Sequence, residues 1–316
     1  MDSQPACHDD PVGGLMPAKK MLAVIRGRAP GPSCKEASVG FVGISKTGSL
    51  FMQGALESFA HEQLLPSAGA RVSACAVGAR FGWHHASAAL WQRAFGPTAW
   101  ADAFTFSIVR DPWSRLVSHW AFHLTARYPL DGGFLTREQR IESKLNETRS
   151  IEHFRAWIRY ATSSYPPGSA EEWRFTTHDA HGNEQAPGFN ASQLSWLVNE
   201  RGELLVDEVF TLETLEQRWP RLQSRICGLH NVSYLQARQH PALLALDHPS
   251  CHRPASDYYD AEGLAAVAAY MAPDIRRFGY EPPRPQRDGP EQSLAMRPAG
   301  LSPNSGCTVV ASGPDV

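Results

Sequence analysis

A chain of 316 residues, 42% hydrophobic and 20% charged, has the balance of a globular protein and the length for one large domain, which excludes a wholly disordered chain. Its net charge is −2 and no Lys/Arg run is long enough to follow a phosphate backbone, so nucleic acid is excluded as a primary partner. The six cysteines (Cys7, Cys34, Cys75, Cys227, Cys251, Cys307) include no C-x-x-C pair, which argues against a zinc ribbon, a thioredoxin-type site or a disulfide-built scaffold; a single Cys227–Cys251 bridge stays open.

The first 35 residues hold nine Gly or Pro, and residues 281–316 hold eleven, both without hydrophobic period. They read as loose N- and C-terminal tails, 1–35 and 285–316, around one domain at 36–284. The longest early apolar stretch, Met21 to Ile25, falls short of a signal-peptide core and of the roughly 20 residues that span a bilayer, so the chain as given reads as soluble. Three of the six asparagines begin N-x-S/T sequons, Asn146, Asn190 and Asn231, which sets a lumenal compartment against a cytoplasmic one.

Ser38 to Ile44 is almost continuously apolar, as a strand buried on both faces of a parallel sheet is. Met52, Ala55, Leu56 and Phe59 recur at i, i+3, i+4 and i+7, so a helix follows. Phe104 to Val109 is a second such strand; Asp111 then supplies an N-cap and Pro112 a first helical residue for a helix to about Arg127. A third strand is predicted at Leu205 to Leu212 and a helix at Glu213 to Cys227, with a last helix from Asp260 to Met271 ended by a turn at Pro273. Segments 128–150 and 161–191 are polar and aperiodic, and read as lids or acceptor-binding loops. Trp83, Trp91, Trp100, Trp157 and Trp196 lie in patterned segments and are assigned to the core. Strand–helix alternation gives an α/β domain, a three-layer sandwich around a mainly parallel sheet of about five strands.

Gly43 to Leu50 (GISKTGSL) joins the first strand to its helix, where backbone N–H groups and the positive helix end converge on an anion. One Lys and its neighbouring hydroxyls make it a candidate phosphate loop. The triphosphatase loop G-x-x-x-x-G-K-[ST] is not met, because Ser45 stands where its second Gly belongs. Arg110 closes the second strand, and Ser118 lies about two turns up the next helix. An Arg at a strand's carboxyl edge can bond a phosphate bidentately. Two anion sites at neighbouring strand ends imply a ligand with separated phosphates. His119 and His123 stand at i, i+4, but Trp120 occupies the place of the zincin Glu, so no metal site is assigned. Trp173, Arg174, His178 and His181 in the second long loop are candidates for stacking and bonding an acceptor.

Ser45-Lys46-Thr47-Gly48-Ser49, followed about 60 residues later by Phe106-Ser107-Ile108-Val109-Arg110-Asp111-Pro112-Trp113-Ser114-Arg115-Leu116-Val117-Ser118, resembles the paired 5′-phosphosulfate and 3′-phosphate motifs of sulfotransferases that use 3′-phosphoadenosine 5′-phosphosulfate (PAPS). The similarity is greatest to carbohydrate sulfotransferases of Golgi type and their bacterial relatives. Two further segments, within Trp196 to Trp219 and Tyr258 to Tyr280, extend it over about residues 38–281. The resemblance implies a P-loop-nucleotide-kinase-like sulfotransferase fold, PAPS as co-substrate without a metal, and a hydroxyl acceptor, a carbohydrate above all. It places Lys46, Thr47, Gly48, Ser49 and Leu50 on the 5′-phosphosulfate, and Arg110 and Ser118 on the 3′-phosphate. Lys46 would also stabilise the leaving phosphate. The segment Phe81 to Ala88 is similar to the family's His-containing segment, which implies His85 as the base, with His84 in reserve. Two departures stand in the loop: Ser45 replaces the family's usual Pro, and Leu50 or Phe51 a second small or hydroxyl residue. Two alternatives are a small-molecule kinase with a degenerate loop and an inactive nucleotide- or glycan-binding protein. The resemblance leaves the oligomeric state open, and a Golgi location requires an anchor outside this chain.

Overall fold

The computed structural model describes residues 39–49, 51–52, 55–56, 87–125, 135–163, 191–226, 229, 232–239 and 252–283. They form two compact units, one from the described residues of 39–111 and 191–239, the other from those of 112–163 and 252–283. Both lie within the expected domain, while the tails 1–35 and 285–316 lie outside the described residues.

The first unit is built on a parallel sheet in the order β1-β2-β3, with β1 at Val39–Val42, β2 at Phe104–Val109 and β3 at Glu208–Thr211. All three strands were predicted, the first three residues longer than observed, the second equal and the third four residues longer, and the α/β class with a parallel sheet is the observed one. The described residues contain these three of the roughly five strands expected. Val39 pairs with Phe104 and Val42 with Ser107; Phe106 pairs with Glu208 and Val109 with Thr211. Every residue of β1 and β2 is buried, which explains their largely apolar sequences; the hydroxyls of Thr105 and Ser107 in β2 are hydrogen-bonded to Asp207 and to the Val42 carbonyl. Phe104 and Phe106, two apart and so on one face of β2, stack with centroids 5.6 Å apart, and Phe41 and Phe210 pack on Phe106.

Helix Leu215–Arg225 lays Leu215, Trp219 and Leu222 into the core that these strands line, at i, i+4 and i+7. Met52, Ala55 and Leu56, of the helix predicted after β1, join the same core. Trp219 Nε1 donates to the Val232 carbonyl at 2.6 Å, so its indole is satisfied while buried. Asp207 fastens the start of β3: its Oδ2 accepts from the Thr105 N–H at 2.7 Å and from the Thr105 hydroxyl at 2.8 Å.

The second unit is helical. Helix Pro112–Thr125 buries Trp113, Leu116, Val117, Trp120 and Leu124 against Phe154, Trp157 and Ile158 of helix Glu147–Ser163 and Leu264 and Val267 of helix Ala261–Tyr270. Asp260 caps Ala261–Tyr270 as predicted, accepting the Gly263 N–H at 2.8 Å. His119 is buried beside the Trp157 ring, 5.8 Å between centroids, a core packing position.

The structure departs from two expectations. The segment 128–150 is not wholly a loop: Arg137–Leu145 is a helix, and the next begins at Glu147. The first is polar nearly all round, with Ile141 48% and Leu145 83% exposed, so no apolar stripe announced it. Its signal was the Thr136–Gln139 capping box. Pro273 does not end a helix either; it sits in the first turn of a new one, Ala272–Phe278, where its missing N–H costs nothing. Helices Ala88–Phe95, capped by Ser87, and Pro97–Ala101 precede β2. Trp91, Trp100, Trp157 and Trp196 are buried, as assigned; Trp83, residues 164–190, with Trp173, Arg174, His178 and His181, and Cys227 and Cys251 lie outside the described residues.

Candidate active site

Because β1 and β2 run parallel side by side, their carboxyl ends put the Gly43–Ser49 turn next to Arg110. The turn reverses tightly through two left-handed residues, Lys46 at φ 65° and Gly48 at φ 80°. Gly48 suits this conformation; Lys46 does not, since a side chain there crowds its own backbone, and such strain concentrates at functional sites. The Thr47 hydroxyl donates to the Ile44 carbonyl at 2.9 Å, and the Met52 N–H donates to the Gly48 carbonyl at 3.0 Å, so the turn closes on itself and passes into helix at Ser49. Ser45, Thr47 and Ser49 are buried. A Cβ on Gly48 would stand 3.0 Å from Leu212 Cδ1, so the residue after β3 limits what the loop can carry.

Arg110 is tied to this loop and to its own surroundings. Its Nη1 donates to the Lys46 carbonyl at 3.2 Å. Its main-chain N–H donates to Gln193 Oε1, and Gln193 Nε2 donates back to the Arg110 carbonyl, both at 2.8 Å. The next N–H, of Asp111, donates to Glu213 Oε1 at 2.8 Å. Burial, and secondarily the Arg110 guanidinium, hold the Lys46 ammonium down to about 8 from its ordinary 10.5. Two cations thus share a largely dehydrated place beside an anion-shaped turn. An arriving anion removes the repulsion between them and replaces lost hydration.

The family profile described as "Sulfotransferase family" matches residues 34–281. The chain belongs to the sulfotransferase family. It is an enzyme of sulfuryl transfer, and the expected fold class and family agree with that match. No curated protein and no solved structure matches this sulfotransferase.

Of the residues singled out from sequence, the structure brings Lys46, Thr47, Gly48, Ser49 and Arg110 of the sulfotransferase together at one edge of the sheet. Ser118 is buried on helix Pro112–Thr125, in the second unit. Leu50, His84 and His85 lie outside the described residues. The described residues contain no cluster of three or more His, Cys, Asp or Glu side chains able to hold a metal, and no described helix is long and apolar enough to cross a membrane. Sequence reasoning missed Gln193 and the left-handed Lys46. Gln193 carries no pattern of its own, since its buried neighbours mix the polar Ser192 and Ser195 with the apolar Ala191, Trp196 and Leu197.

Proposed function

We propose that the enzyme transfers the sulfuryl group of PAPS to a hydroxyl of a carbohydrate acceptor. The observation that carries the reading is the pairing of a strained, cationic strand-to-helix loop with Arg110, whose guanidinium reaches the Lys46 carbonyl at 3.2 Å. Two cationic positions at adjacent parallel-strand ends suit a nucleotide bearing anionic groups at both its 5′ and 3′ positions. The carbohydrate class of acceptor rests on the sequence resemblance to carbohydrate sulfotransferases.

In this reading the backbone of Lys46, Thr47, Gly48, Ser49 and Leu50 cradles the 5′-phosphosulfate. The Thr47 hydroxyl already donates to Ile44, so Thr47 contributes its main-chain N–H rather than its hydroxyl proton. Arg110 and Ser118 bind the 3′-phosphate. The acceptor oxygen attacks sulfur in line, a new S–O bond forms, and the bond from sulfur to the 5′-phosphate oxygen breaks. The acceptor's proton passes to His85, and the charge left on the phosphate faces the Lys46 ammonium. The products are a sulfate ester and 3′-phosphoadenosine 5′-phosphate (PAP). The reading gives no step to a metal.

Transfer of labelled sulfuryl from PAPS to a panel of glycans tests this. Lys46→Ala should lower turnover on the order of 10²-fold or more, and His85→Ala should abolish transfer while PAP affinity stays near wild type. Wild-type turnover in either variant removes that residue from the mechanism. Absence of transfer to any hydroxyl acceptor removes the reading itself.

A further inference from the structure

We propose that Gln193 is the positioning residue that aims Arg110 at the nucleotide's 3′-phosphate, a role that rests on the reading of Arg110 given above. The registers show why Arg110 needs one. β1 pairs with β2 only as far as Val42↔Ser107, and β3 only as far as Val109↔Thr211. Beyond these points β1 has turned into the anion loop and β3 into the 3-10 turn Leu212–Thr214. The ladder that fixes every earlier residue of β2 therefore stops one residue before the residue whose side chain must be placed most accurately.

Gln193 takes over the ladder's work. Its side chain is fully buried, and its carboxamide offers Oε1 to the Arg110 N–H and Nε2 to the Arg110 carbonyl, each at 2.8 Å. This is the two-bond pattern of a neighbouring strand, supplied by one side chain. Only one orientation of the amide satisfies both partners, so both peptide planes flanking the Arg110 Cα are held at once. With those planes set, the Cα–Cβ direction is set, and the guanidinium reaches the Lys46 carbonyl. Glu213 holds the following N–H, of Asp111, and completes the fixing of the strand's end. Few side chains can do this: Glu lacks the donor, Leu and Met lack both groups, and Asn is one methylene shorter.

The test compares two ligands that differ only in the 3′-phosphate, PAP and adenosine 5′-phosphate, by calorimetric titration of the full chain. Selectivity is the ratio of their affinities. Arg110→Ala should collapse it. Gln193→Ala should lower it at least about fivefold through PAP alone, with adenosine 5′-phosphate changed less than about twofold, and the double variant should be no less selective than Arg110→Ala, since coupled residues are non-additive. A Gln193→Ala variant that weakens both ligands equally, or neither, while Arg110→Ala collapses selectivity, overturns the proposal and leaves Arg110 in place. Undiminished selectivity in Arg110→Ala sinks the Arg110 reading and this role with it.

Should Gln193→Ala fail to fold, Gln193→Glu serves. It keeps the acceptor for the Arg110 N–H but sets a carboxylate oxygen against the Arg110 carbonyl. Its selectivity, taken relative to wild type at the same pH, should be low at about pH 8 and recover as the carboxyl gains a proton that it can donate. Wild-type selectivity at about pH 8 would overturn the proposal.

Discussion

Raising the pH should strip the nucleotide from this enzyme through one side chain. Burial and the charge of Arg110 hold Lys46 to about 8 in the free protein. A bound phosphate or phosphosulfate pulls it back toward its ordinary range, because the anion favours the ammonium. If the anion needs the ammonium, apparent affinity follows the protonated fraction of the free enzyme. That fraction is about 0.9 at pH 7 and about 0.09 at pH 9, so PAP affinity should fall about tenfold across the interval. A lysine at 10.5 would give almost no change there, and the phosphates and arginines do not titrate in it. Binding at about pH 8 should then take up about half a proton, which calorimetry in two buffers of different ionisation enthalpy reads directly. Lys46→Met should bind PAP more weakly but with a flat pH profile. Affinity constant within about twofold from pH 7 to pH 9, or an unchanged slope in Lys46→Met, would refute the reasoning.

Other consequences concern the cost of this arrangement. In the ligand-free protein the buried ammonium opposes folding below about pH 8; above it the folded chain sheds a proton that the unfolded chain keeps up to about 10.5, so stability from this group rises with pH over that window. Lys46→Met should therefore raise the melting temperature at pH 7, and the gain should shrink by about pH 10 in a thermal melt series. Gly48→Ala meets both a left-handed backbone and Leu212 Cδ1 at 3.0 Å, whereas Gly202→Ala meets a similar φ with nothing within 4 Å. The first should cost more than the second, whose loss should be about 1 kcal/mol, as read by denaturant titration. Asp207→Ala leaves the buried Thr105 N–H without its carboxylate and should cost about 1–3 kcal/mol, while Asp207→Asn, which keeps an acceptor oxygen, should cost less.

Much of this could be read from the chain because burial on two faces leaves its mark on a strand. β1 and β2 are fully buried and were visible as apolar runs. Asp260 was legible because an N-cap acts through its own side chain and the N–H three residues on, a local interaction. Lys46 and Arg110 were singled out because backbone N–H groups and a cation at a parallel strand's carboxyl end can hold an anion, and the structure brings the two residues to one place. Gln193 was not, since its partner lies 83 residues away and its worth depends on where two neighbouring strands stop pairing. Nor was the left-handed φ of Lys46, because no residue type announces it outside glycine. Helix Arg137–Leu145 was hidden for another reason: a helix held by a capping box rather than by an apolar face has no hydrophobic period to detect.

The proposed site reads both phosphates of an adenosine nucleotide, with Lys46 on one and Arg110 on the other. Thermal stabilisation of the purified protein by PAP, beside ADP and Mg-ATP at equal concentration, tests it most directly, because a ligand that binds only the folded state raises stability by mass action. PAP should raise the melting temperature, ADP should not reproduce the rise, and Arg110→Ala should abolish it. A rise with Mg-ATP alone, or none with PAP, would contradict this reading.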